Sequence, residues 1–177
     1  MAFASSSDVQ AALQRLDEAP FWPKGARATL TLVGGVVLFF YGIGYRRTVD
    51  LDAHLSTQRD LRARLEVAAE RIGISFRAGS IMWVSEDFED NAKPTPWQFE
   101  HLNVKYLDAY DFTLSKMARW HTNDREDVRH VLPVLDPVQL RNVVKDSLPV
   151  YIGDERSIRA NWRDVCRMMN REDLIEL

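Results

Sequence analysis

The sequence predicts an α+β protein: a small mixed β-sheet with helices packed against it, followed by a C-terminal helical segment. Three observations lead there. Residues 29–35 and 49–55 read as strands on either side of an apolar run broken by glycines. Residues 57–72 carry an apolar stripe at helical spacing, closed by Gly73. From Tyr110 to the end the pattern stays helical, punctuated by Pro133, Pro137, Pro149 and Gly153. The division expected is an α/β core over 1–108 and a helical segment over 109–177 packed on it.

The 177 residues suffice for a buried core, and 46% apolar with 28% charged residues is a globular composition rather than a disordered one. A net charge of −3, from 23 basic and 26 acidic side chains, argues against a strongly basic nucleic-acid binder. Cys166 is the single cysteine, which excludes an intrachain disulfide and a cysteine zinc site. MAFASSSDVQ carries no leader pattern, so the expected compartment is the reducing cytoplasm. The 18 uncharged residues between Arg27 and Arg46 reach the lower limit for a membrane span. Gly34, Gly35, Gly42 and Gly44 break that run, so it reads as buried strand, tight turn and short buried helix, and no membrane contact is expected.

Taken in order, Ser5 to Ser7 can cap a helix over 8–19 with Val9, Leu13 and Leu16 on one face, ended by Pro20 and Pro23. Thr29–Val33 is a strand that enters Gly34-Gly35, and Val36–Tyr41 is a helix turned against the core. In VDLDAHL, Val49, Leu51, Ala53 and Leu55 alternate with Asp50, Asp52 and His54, the period of a strand with one apolar face. Thr57 can cap the helix that carries Leu61, Leu65, Ala68 and Ile72, and Ile74–Arg77 is a short strand. The acid-rich, proline-containing stretch after Val84 is a loop, and Trp97–Leu107 returns as strand. Helices are expected over 111–122, 124–132, 137–148 and 154–170.

The chemistry concentrates in LVGGVVLFFYGIGYRRTVDLDAHL. A glycine pair at a strand–helix turn lets backbone N–H groups approach a phosphate. Asp50 and Asp52, at i and i+2 of a strand, point the same way and can share magnesium, which takes oxygen ligands from carboxylates and substrate phosphates. Arg46, Arg47 and Thr48 can contact further phosphate oxygens.

Val33-Gly34-Gly35, followed by Asp50-Leu51-Asp52, resembles the signature of the DNA-polymerase-β-like nucleotidyltransferase superfamily. Fourteen residues separate Gly35 from Asp50, at the long end of the family's spacing. The string Arg47-Thr48-Val49-Asp50-Leu51-Asp52 is similar to the form found in a bacterial branch related to AbiEii-type toxins of toxin–antitoxin and phage-defence systems. A second block, Leu107 to Met117 with Lys116 and then Asp124 and Asp127, resembles that branch as well. The resemblance implies a nucleotidyltransferase fold that binds a nucleoside triphosphate with Mg2+ and transfers a nucleotidyl group to a hydroxyl of RNA, such as a tRNA, or of protein. It implies Asp50 and Asp52 as catalytic metal ligands, Gly34, Gly35, Arg47, Thr48 and Lys116 as nucleotide contacts, and a third catalytic acid on a later strand. Glu100 is the candidate for that acid, with Asp108 in reserve. A cognate antitoxin or toxin protein is the macromolecular partner implied. The alternative is a catalytically degenerate member of the same fold that serves as a protein-binding partner.

Each residue also has an ordinary structural reading. Glycine pairs end strands, a pair of aspartates can line a solvated strand face, and His54 can be a surface histidine. Lys116 can sit on the surface of an amphipathic helix, and Asp124 and Asp127 suit the first turn of a helix. Arg156, Arg159, Arg163 and Arg167 share a helix face that either meets RNA phosphate or is simply solvated, while Trp120 and Trp162 read as core anchors.

Overall fold

The computed structural model describes residues 2–56, 59–79 and 83–177. The chain divides into two compact units, Met1–Ser80 with Ala92–Leu107, and Ile81–Asn91 with Asp108–Leu177.

In the first unit, helix α1 (Ser6–Asp17) starts at Ser5 in a capping box: the Ser5 hydroxyl accepts from the Asp8 N–H, and the Asp8 carboxylate accepts from the Ser5 N–H. Val9, Ala12, Leu13 and Leu16 form its buried face. Strand β1 (Ala28–Leu32) leads through Val33 into a 3₁₀ helix, Gly34–Tyr41, which ends at Gly42 in the left-handed conformation. Strand β2 is Leu51–Ser56, helix α2 is Arg59–Arg71 and strand β3 is Phe76–Ala78. The expected Thr57 cap of α2 lies outside the described residues. After the second unit's first segment, β4 (Lys93–Pro94) and β5 (Leu102–Tyr106) complete a mixed sheet of order β3-β2-β1-β5-β4. Strand β1 pairs antiparallel with β2 and parallel with β5.

Register divides the sheet into two chemically opposite faces, because residues opposite one another across a ladder share a face. Leu30 and Leu32 lie opposite Leu55 and Ala53 on one side, and opposite Val104 and Tyr106 on the other. Together with Ala28, Leu51, Phe76, Ala78 and Leu102 they form the core with the buried faces of α1 and α2. The other face carries Thr29, Thr31, Asp52, His54, Ser56, Arg77, Asn103 and Lys105. The Asn103 amide donates to the Thr29 hydroxyl across this face at 3.3 Å.

The expected strand over 97–107 shortens to β5 because its leading N–H groups bond elsewhere. The buried Asp17 carboxylate accepts from the N–H groups of Glu100 (2.9 Å), His101 (2.8 Å) and Leu102 (2.9 Å). His101 also stacks on Trp22, with ring centroids 4.9 Å apart.

The second unit is helical: α3 (Phe88–Asn91), α4 (Ala109–Met117), α5 (Thr122–Val131), α6 (Pro137–Ser147) and α7 (Glu155–Met168). Phe112, Leu114, Met117, Val128, Val131, Leu140, Val144, Ile158, Trp162 and Val165 are buried in it. Trp162 is fully buried and donates its indole N–H to the Leu174 carbonyl at 3.0 Å, which makes it a core anchor. The stretch after Val84 expected as loop instead contains α3 and β4, and the chain around its start is held in this unit at two points. The Trp83 indole donates to the Ser147 carbonyl (2.9 Å), and Asp111 accepts from the Ser85 N–H (2.6 Å) and hydroxyl (3.0 Å). Cys166 is buried, and desolvation pushes its thiol up to about 11, so it stays an inert core thiol.

Candidate active site

The site is built where β1 ends. Val33 donates its N–H to the Asp52 carbonyl at 2.9 Å, which carries the β1–β2 ladder up to the glycine pair. Gly34 then turns with φ +67, a left-handed conformation that disfavours a side chain. A Cβ built there would lie 2.8 Å from Asp52 Oδ2, so the backbone passes directly against that carboxylate. At Gly35 a Cβ would lie 3.1 Å from Arg46 Nη2 and 3.3 Å from Thr48 Oγ1. Glycine is thus favoured at the first position by conformation and by the close carboxylate, whereas at the second a side chain would need the Arg46 and Thr48 side chains to give by a few tenths of an ångström. The segment that supplies Thr48 is fixed by a two-way backbone bridge: Phe3 donates to the Thr48 carbonyl (2.7 Å) and Thr48 donates to the Phe3 carbonyl (3.0 Å).

Asp50 precedes β2. Its Oδ1 accepts from the Ser75 hydroxyl at 2.7 Å, and its Oδ2 lies 3.8 Å from Arg77 Nη2. Arg77 stands opposite Asp52 in the β2–β3 register, so both aspartates lie on the polar face of the sheet. The structure therefore brings together Gly34, Gly35, Arg46, Thr48, Asp50 and Asp52, and adds Ser75 and Arg77. The added pair comes from a strand of three residues, too short for alternation to announce which side chain faces where.

Four of the residues singled out from sequence stand in other surroundings: Arg47, Glu100, Asp108 and Lys116. Arg47 is exposed, and its charge bears weakly on Asp8. The Asp8 carboxyl is held below the usual range chiefly by the Ala4 N–H, with Ser5 and the Arg47 charge adding to the effect. Glu100 is a correction. Strand β5 runs parallel to β1 with Leu102 opposite Ala28, so Glu100 lies beyond the start of β1 while Asp52 lies beyond its end. At about 3.3 Å per residue, that leaves the two roughly 20 Å apart. The Glu100 carboxylate is 83% exposed and lies 3.8 Å from the neighbouring His101 Nε2. Asp108 is no substitute, because it caps α4 by accepting from the Asp111 N–H at 2.8 Å.

Lys116 is the other correction. Its side chain is 2% exposed, and its ammonium lies 2.6 Å from Asp127 Oδ2 and 3.3 Å from Asp124 Oδ1. Asp124 also takes Arg119 Nη2 at 2.8 Å and accepts from the His121 N–H as the third residue of α5. A triphosphate would have to displace two buried carboxylates to reach this lysine, so the pair forms a structural ion network within the helical unit. The basic stripe of α7 is solvated, as its ordinary reading has it: Arg159 pairs with Glu155, and Arg167 with Asp164 at 3.3 Å.

The donors present suit a single magnesium ion. Two carboxylates on one face are hard oxygen ligands, and magnesium is commonly held by one or two carboxylates together with substrate phosphates. Among the described residues, no group of three or more His, Cys, Asp or Glu side chains converges as a metal site. No helix among the described residues is long and apolar enough to cross a membrane.

No curated protein and no solved structure matches the chain. Residues 11–170 match the model of a family described as a nucleotidyltransferase of unknown function, DUF6036. That match spans both units, and its description agrees with the glycine turn set against an aspartate pair. The chain belongs to the DUF6036 family of nucleotidyltransferases.

Proposed function

We propose that the chain binds a nucleoside triphosphate together with magnesium at the Gly34–Gly35 turn and transfers a nucleotidyl group to a hydroxyl of an RNA or protein acceptor. The observation that carries this reading is the approach of the Gly34 backbone to Asp52, which sets a strand–helix turn directly beside a carboxylate. Asp52 and Asp50 would hold the ion, whose charge neutralises phosphate oxygens as the leaving pyrophosphate departs. Arg46 and Thr48 border the glycine turn and are placed to meet phosphate oxygens; Ser75 and Arg77 orient Asp50. A place in a toxin–antitoxin or phage-defence system goes with the Arg47–Asp52 string alone. It would make the acceptor a tRNA or a protein and the partner a cognate antitoxin.

A second reading is a member of the family that binds nucleotide and serves as a protein partner without turnover. What favours it is that, among the described residues, β1, β3 and β5 contribute no carboxylate to the polar face. One experiment separates the two. The protein is incubated with α-labelled nucleoside triphosphates, magnesium, and either total RNA or a cell lysate, beside the Asp52→Asn variant. Label carried to RNA or protein by wild type and lost in the variant supports the transferase. Wild-type binding of labelled nucleotide with no transferred label supports the binding protein.

A further inference from the structure

On the polar face, three residues of three strands stand in one row. His54 of β2 and Lys105 of β5 both lie opposite Thr31 of β1. The row is two residues along β2 from Asp52, on the same face. Lys105 is half-buried, and its neighbour on this face, Asn103, bonds to Thr29, which fixes which way β5 presents its polar side chains. Standard strand spacing and rise put the Cα atoms of Lys105 and Asp52 about 12 Å apart. A lysine stem spans roughly half of that distance, and a bound polyphosphate can bridge the rest.

The sheet thus offers a cation on the strand beside β1, where the resemblance leads one to expect an acid. A carboxylate there would recruit a second metal ion; an ammonium recruits an anion directly, as a point charge suited to phosphate. With Arg77 on the other side of Asp52, the face has cationic groups on both flanks of its metal-binding carboxylate. We infer that Lys105 is a polyphosphate-binding residue of this face and takes over the charge neutralisation that a second metal would otherwise supply. The ligand assigned, the triphosphate of a nucleotide, rests on the function proposed above; the placement of the row does not.

The test uses inorganic tripolyphosphate in the presence of a chelator, titrated into the full-length protein by calorimetry. Wild type binds, and Lys105→Ala weakens binding about tenfold, the size expected for one charge-assisted contact. Lys105→Arg restores most of it. Lys93→Ala is the control: Lys93 lies opposite Tyr106, on the other face of the same sheet edge, so its loss changes net charge equally without touching the row. Binding by Lys105→Ala at wild-type strength, an equal loss in Lys93→Ala, or no binding by wild type would each overturn the inference. A parallel titration of Mg–ATP into Asp52→Asn keeps the two proposals apart. Should Asp52→Asn lose Mg–ATP while Lys105→Ala keeps tripolyphosphate, the lysine assignment fails and the nucleotide site stands. The reverse pattern retains the lysine and removes Asp52 from the metal.

Discussion

The two units treat their charged residues in opposite ways. In the sheet unit, Asp50, Asp52, His54, Arg77 and Lys105 stand half-buried or exposed on one polar face, and Asp50 meets the Ser75 hydroxyl and the Arg77 guanidinium, the latter 3.8 Å away. In the helical unit, Lys116, Asp124 and Asp127 are buried and closed upon one another. Both sets look alike in the sequence, as charges near a motif. Burial separates them: a charge taken out of water must be compensated by the fold itself, whereas a charge left at a wet surface retains capacity for a ligand.

The largest effect expected from this contrast is at Lys116. Lys116→Met leaves two buried carboxylates without their ammonium, and should cost about 3–5 kcal/mol of unfolding free energy. Urea denaturation followed by circular dichroism would read it. A variant of near wild-type stability that had lost nucleotide binding would instead make Lys116 a ligand contact and erase the contrast.

Next comes Gly34. Gly34→Ala meets both the left-handed φ of +67 and the Asp52 carboxylate at 2.8 Å. Gly25→Ala meets a similar φ of +74 with nothing within 4 Å. The second change should cost about 1 kcal/mol for its backbone conformation. The first should cost about 1–2 kcal/mol more for crowding, with nucleotide binding lost alongside. Equal melting temperatures for the two would mean that Asp52 swings aside freely and that the close approach imposes nothing.

A smaller, pH-dependent effect belongs to Asp111. Burial raises its carboxyl above the ordinary value, against the lowering by the Ser85 N–H and hydroxyl. A raised acid contributes its full stability below the unfolded value of 3.8 and loses it as pH climbs through the folded one. The ionised, buried carboxylate is therefore the less favourable form, and Asp111→Asn should gain on wild type as pH rises from 3.5 to 7, on the order of the shift's free energy. An advantage that shrank with rising pH would reverse the sign and show Asp111 to be stabilised as an anion. Smallest of all is Arg77→Ala. Its 3.8 Å pair with Asp50, at 70% exposure of the arginine, should change stability by no more than about 0.5 kcal/mol.

Much of the scaffold was legible in the sequence. Alternation in VDLDAHL placed β2 with its polar face, the glycine pair marked the end of β1, and helical spacing with proline punctuation located α4 to α7 to within a few residues. What failed was information that lives between elements. Glu100 was read as near the aspartates because a strand must cross the sheet, but only the parallel register of β5 on β1 says at which end its acid lies. Lys116, expected as a nucleotide contact or else a surface lysine, is neither, because helical periodicity gives faces, not the partners that let an ion be buried. Lys105 did carry a signal, the alternation of Leu102 and Val104 with Asn103 and Lys105, though it gains meaning only once β5 is known to lie beside β1. The stretch after Val84, expected as loop from its acids and prolines, contains the short helix α3 and the two-residue strand β4, and its attachment to the helices depends on Asp111, far from Ser85 in sequence.

The central claim is that the open aspartate face, and not the buried network, is where nucleotide and magnesium meet. Calorimetric titration of ATP, with and without magnesium, into wild type, Asp52→Asn and Lys116→Met tests it most directly. Expected are magnesium-dependent binding by wild type, a loss of about tenfold or more in Asp52→Asn without a fall in melting temperature, and retained binding by the folded fraction of Lys116→Met. Magnesium-dependent binding of wild-type strength in Asp52→Asn would contradict it.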